Sequence, residues 1–298
     1  MQAARLPKNG TIGMICPSHV ADPNRYADMF APIKRLGFDI KPGGHFYKST
    51  YGYAASAEER AADLNALVSD KDVRLILFGG GESAVEILPY IDYGNIKNNP
   101  KLFSSYSDAT PILNAIYART GLVTYYGCGI GEFYNLSHYD YTHFLSHFVE
   151  GYTAGQFEKN SDWIKLTGGV CEGTLIGGYS YLFALMLTNR YFSYDTGRKY
   201  LLFLEDHETF SEVGAVASYL AFIGQSAFID NVTGLIFGHY SNNVPDDLLR
   251  CLERFGKRHN IPVVYTHDFG HGMRHGIFPI GVNARLDADN GTVVFTSA

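Results

Sequence analysis

Short, nearly continuous apolar runs alternate along the chain with longer segments whose apolar positions recur every three or four residues. The first run, GTIGMIC at 10–16, predicts a buried strand that stops at Pro17. A helix follows over Asn24–Leu36, closed by Gly37, and then FDIKPG as a second strand. Residues 57–69 are rich in good helix formers and put Ala61, Leu64, Leu67 and Val68 on one face. VRLILF at 73–78 has no polar face to spare, as expected of a parallel strand covered on both sides. It runs into three glycines, Gly79 to Gly81, and a helix expected over Ser83–Tyr90.

The same grammar repeats over 101–120, where a strand ends near Ser105, a tight turn holds Tyr106–Asp108, and a helix carries Pro111 in its first turn. GLVTYYG is the next strand. From 130 to 165 the chain is aromatic, rich in histidine and less periodic, and is expected to be a helix plus a loop crossing between domains. The second half shows strands at LTGG, KYLLFLE, VTGLIFG and PVVYTHD, a helical segment over Ser211–Gly224, and a final hairpin turned by DADNG. The expected class is α/β: a mainly parallel βα domain over 1–155, then a β-rich α+β domain over 156–298.

Composition narrows the function classes. The chain has 298 residues, 46% hydrophobic and 18% charged, as a folded protein requires. A net charge of -6 without a basic cluster argues against a nucleic-acid partner. Cys16, Cys128, Cys171 and Cys251 are scattered without ligand spacing, so free thiols in a reducing compartment are expected. No apolar run reaches membrane-spanning length and the N-terminus lacks a signal-peptide pattern, so a cytoplasmic protein without a membrane partner is expected.

Four places could carry chemistry. In SYSDATP, Ser107 sits in a turn between strand and helix, where a hydroxyl is presented beside free helix N–H groups; the same residues could simply cap the helix. In FGGGESAVE, Gly80 and Gly81 allow a ligand to approach backbone N–H groups and could equally serve only the turn. In LLFLEDHETF, an apolar strand ends on Glu205, Asp206, His207 and Glu208, where a carboxylate can orient a histidine or bind metal. In THDFGHGMRHG, His267, His271 and His275 are spaced by four, but the glycines between them argue against a helix. His239 in IFGHYS ends another apolar run.

Taken together, GTIGMICPS, LILFGGGES, LFSSYSDAT, GLVTYYG, GTLIGGYSYL, LLFLEDHE and FGHG…FPIG resemble the LD-carboxypeptidase family, which spans muropeptide LD-carboxypeptidases and microcin-immunity serine peptidases. The resemblance implies Ser107 as nucleophile, Glu205 and His271 as its acid and base, and Gly80 and Gly81 with Asp108 as the oxyanion and substrate-binding turn. It further implies two domains with the active site between them, a homodimer and no cofactor. The candidate substrate contacts are Glu82, Tyr179 and His239. Ser105 stands where the family commonly has glycine, and Tyr179-Ser180 where it has Asn-Leu. Phe78 and Gly79 replace the arginine region of the muropeptide enzymes, and with Tyr179 they tilt the expected substrate toward a peptidyl or aminoacyl nucleotide over a muropeptide. Two other classes are a non-catalytic binding protein and a metal hydrolase built on His267, His271 and Glu208.

Overall fold

The computed structural model describes residues 1–151 and 154–296. Tyr152 and Thr153, within the expected crossover, and Ser297, at the end of the expected hairpin, lie outside the described residues. The chain divides into two compact units, Met1–Tyr152 and Thr153–Ala298.

The first unit runs β1 (Thr11–Ile15), α1 (Pro23–Arg35), β2 (Asp39–Pro42), α2 (Ala57–Ser69), β3 (Val73–Phe78), α3 (Tyr93–Asn98), β4 (Leu102–Ser105), α4 (Thr110–Thr120), β5 (Thr124–Tyr126) and α5 (His138–Phe144). Its strands lie in the order β5-β4-β3-β1-β2, every neighbouring pair parallel. Parallel strands need covered faces, and β3 and β4 are buried throughout except at Arg74. Helix α2 starts on a capping box in which Ser56 and Glu59 satisfy each other's backbone N–H. The helix expected over Ser83–Tyr90 is instead a 3-10 helix over Ala84–Tyr90. Pro89, near its end, has no N–H to give to a helical hydrogen bond.

The second unit runs β6 (Gly155–Gln156), β7 (Ile164–Thr167), β8 (Val170–Tyr179), α6 (Ser180–Met186), β9 (Tyr200–Glu205), α7 (Val213–Gln225), β10 (Val232–His239), α8 (Asp246–His259), β11 (Val263–Gly270), β12 (Phe278–Ile280), β13 (Asn283–Asp287) and β14 (Thr292–Phe295). Its large sheet has the order β6-β14-β13-β8-β9-β10-β11-β7. Strands β8, β9, β10 and β11 are mutually parallel. Antiparallel strands flank them on both sides. The sheet thus has a βαβ centre, with α6, α7 and α8 as the crossovers. Parallel strands end at the same edge, and in open α/β sheets that edge is where ligands bind. Tyr179 ends β8 opposite Glu205 at the end of β9, and His239 ends β10 opposite Gly270 at the end of β11.

Candidate active site

In the first unit, β4 delivers the chain to Tyr106, and Ser107 opens a turn of 3-10 helix that leads into α4. Ser107 has φ +58, one of three positive-φ residues other than glycine among the described residues. Such a conformation crowds Cβ and is held only where the surroundings enforce it. Here the Ser107 N–H donates to Tyr126 Oη at 2.9 Å, and the Thr110 hydroxyl donates to the Ser107 carbonyl at 2.7 Å. This is the strand-turn-helix context of a nucleophile elbow. Ser105, two residues earlier, is buried with its hydroxyl 3.3 Å from the Phe78 carbonyl, so the larger side chain is accommodated and its oxygen is satisfied.

The glycine turn lies against this elbow. Gly80 and Gly81 are exposed, and Gly81 has φ +141. Asp108 is buried and accepts the Ala84 N–H at 2.7 Å, tying the elbow to the far end of the turn. Burial raises the Asp108 pKa, against the hydrogen bond from the Ala84 backbone. Glu82 is exposed, and its charge adds to that upward shift.

In the second unit, Glu205 is 0% exposed, and its Oε2 lies 2.8 Å from His271 Nδ1. Gly270 makes this approach available: with φ +102, a Cβ there would stand 2.9 Å from Glu205 Oε2. Burial pulls the His271 pKa down, but the charge and hydrogen bond of Glu205, with the charge of Asp206, lift it above its ordinary value. Asp206 is itself pushed up to about 6, by burial and against its bond from the Ser180 hydroxyl. Tyr179 meets the His271 ring edge-on at 5.3 Å, and Phe210 does so at 5.1 Å. The imidazole is therefore oriented on its Nδ1 side by a carboxylate and flanked by aromatic rings.

His239 is placed differently. Its Nδ1 is 3.0 Å from His267 Nδ1, and its ring stacks on His207 at 5.7 Å. Burial, with the neighbouring His267 and His207, holds its pKa down to about 4. Glu208 is exposed. Among the described residues no three His, Cys, Asp or Glu side chains gather so as to hold a metal ion. Asp206, singled out with Glu205 at the end of its strand run, lies beside the Glu205–His271 pair and raises the His271 pKa. Phe210 and Tyr126 were not among the expected site residues; Tyr126 acts across a parallel strand pair and carries no local signal.

Comparison with known proteins adds the family. Residues 12–127 match the LD-carboxypeptidase N-terminal domain and residues 172–286 the LD-carboxypeptidase C-terminal domain, together over three quarters of the chain. A presumptive carboxypeptidase of Treponema pallidum is 30% identical, over 85% of this chain and 82% of its own. The microcin C7 self-immunity protein MccF of Escherichia coli is 27% identical, over 99% and 95%. A probable murein peptide carboxypeptidase of Bacillus subtilis is 29% identical, over 97% and 92%. The crystal structure of an MccF-like protein from Bacillus anthracis shares the fold, with a TM-score of 0.90 at 24% identity over 100% of both chains. With both family domains matched in order, the chain belongs to the LD-carboxypeptidase family of serine hydrolases, which includes the MccF-like microcin-immunity peptidases.

Proposed function

We propose that this protein hydrolyses an amide bond through Ser107, His271 and Glu205, acting on a peptidyl or aminoacyl nucleotide. The observation that carries the proposal is the buried Glu205–His271 pair. A carboxylate at Nδ1 fixes the tautomer that leaves Nε2 as the base. In this reading Ser107 loses its proton to His271 Nε2 as its Oγ attacks the carbonyl. The Gly81 and Asp108 N–H groups receive the oxyanion. His271 returns the proton to the leaving nitrogen, and water, activated by the same base, resolves the acyl-enzyme. No metal takes part in these steps.

The relation to MccF, and a structure of MccF in complex with aspartyl sulfamoyl adenosine, support the nucleotide substrate. A second reading, release of a terminal D-amino acid from a murein peptide, is favoured by the slightly higher identity to the Bacillus subtilis relative. Both are tested by offering aspartyl sulfamoyl adenosine and L-Ala-D-Glu-meso-diaminopimelate-D-Ala in parallel and identifying products by mass spectrometry. Release of aspartate is the expected result, and release of D-Ala alone would replace it with the second reading. Ser107→Ala is expected to fold and to lose at least ~10³-fold in kcat. Wild-type turnover in that variant would sink the nucleophile. A wild-type enzyme that neither turns over nor reacts with a fluorophosphonate would leave a binding protein.

A further inference from the structure

The Cys16–His19 segment leaving β1 has no part in the reaction as written above. In the fold, its side chains build a chain of hydrogen bonds that ends on the glycine turn. Cys16 Sγ is 3.4 Å from Tyr26 Oη, Tyr26 Oη is 2.8 Å from His19 Nε2, and His19 Nδ1 is 2.5 Å from the Gly80 carbonyl oxygen. The direction of each bond follows from what its ends can do. A carbonyl oxygen only accepts, so Nδ1 must carry hydrogen. Burial lowers the His19 pKa, more than its bond to Gly80 raises it, so the ring is neutral and Nε2 keeps its lone pair. The Tyr26 hydroxyl then donates to Nε2, and burial holds that hydroxyl protonated. Burial also pushes the Cys16 thiol up to about 12, so it stays protonated and donates to Tyr26. The imidazole is thus set in one tautomer from both sides.

A planar trans peptide points its C=O and its N–H in opposite directions. Among the described residues no peptide bond is cis. Gripping the Gly80 oxygen therefore fixes the Gly81 N–H, directing it away from His19. The turn is packed closely at Gly81, where a Cβ would lie 2.4 Å from Ser18 Cβ, whereas Gly80, the residue His19 grips, has no such packing. Its other end is held where Asp108 takes the Ala84 N–H.

We propose that His19 is a positioning residue, whose Nδ1–H holds the Gly80 carbonyl so that the Gly81 N–H stays aimed at the developing oxyanion. This rests on the reaction proposed for Ser107.

Two measurements on the full chain test it. The first is the 15N ring spectrum of histidine-labelled protein at neutral pH, with His19→Gln used to assign the signal. A neutral ring with hydrogen on Nδ1 is expected; hydrogen on Nε2, or on both nitrogens, overturns the proposal whatever the substrate. The second is kinetics on the substrate that is turned over. His19→Asn puts an N–H donor where Nδ1–H stands, and its kcat should remain within about 3-fold of wild type; His19→Gln carries its amide one bond further out, and its kcat should fall about 10- to 100-fold with KM nearly unchanged. A side chain that only fills space would favour the larger Gln. Equal kcat in the two variants, or a loss confined to KM, therefore also overturns it. Turnover by Ser107→Ala would instead bring down the reaction and the oxyanion role with it, and the ring spectrum would still decide whether the clamp on Gly80 exists.

Discussion

At the scale of single residues, the Glu205–His271 pair sets a pH dependence with a definite sign. His271 is pulled down by burial but raised overall by Glu205 and Asp206. As the proposed base it works only when neutral, so the acid limb of kcat/KM should lie above the ordinary histidine pKa of about 6.5. Glu205→Gln removes the charge and leaves burial to dominate, so the limb should move to lower pH while kcat drops by ~10³-fold or more. A limb that stays in place on the pH-rate profile would assign the titration to another group. The same pair affects stability: a raised histidine contributes fully below about pH 6.5 and the contribution is lost as pH rises through the folded value. Ser107, Glu205 and His271 could be picked out in the sequence because each follows an apolar strand run and matches a family motif. His19 and Tyr126 could not, since their contacts, to Gly80 and to the Ser107 N–H, depend on which strands pair.

At the scale of elements, β3 and β9 were plain in the sequence because strands buried on both faces are apolar along nearly their whole length. Strand β8 was not assigned, since its glycines dilute the strand signal. Their purpose is visible only in the sheet: at Gly177, φ is +148 and a Cβ would fall 1.7 Å from the Phe203 carbonyl oxygen on β9. Gly177→Ala should therefore destabilise the protein by about 3 kcal/mol or more, by forcing β8 off β9. Denaturant unfolding measures this, and a change below about 0.5 kcal/mol would mean that the ladder yields easily there. Helix α8 also went unassigned, although Leu248, Cys251, Leu252 and Phe255 recur at helical spacing and are buried together.

At the scale of the molecule, alternating βα grammar was enough to foresee an α/β first half, because local periodicity and sheet type are tied by the need to cover both faces. The mixed order of the second sheet was not foreseeable in the same way. Which strands neighbour β8 depends on pairings between distant segments, such as Asn283 with Thr174. Among the described residues no helix is long and apolar enough to cross a membrane. The whole fold also holds Ser107 in its left-handed conformation. A side chain in that region costs about 1–2 kcal/mol, and the cost is drawn from the global free energy of unfolding. Alanine at 107 keeps Cβ and so keeps the cost, whereas glycine relaxes it. Ser107→Gly should accordingly melt higher than Ser107→Ala, by an amount equivalent to roughly 1 kcal/mol, and differential scanning calorimetry would register the order. Identical melting temperatures would mean that the strain relieved is no larger than the extra unfolded-state entropy of glycine, about 0.4–1 kcal/mol. If the order holds, and wild type melts with the alanine variant, then in the reading proposed above the protein trades durability for its nucleophile, since a more heat-resistant sequence lies one substitution away.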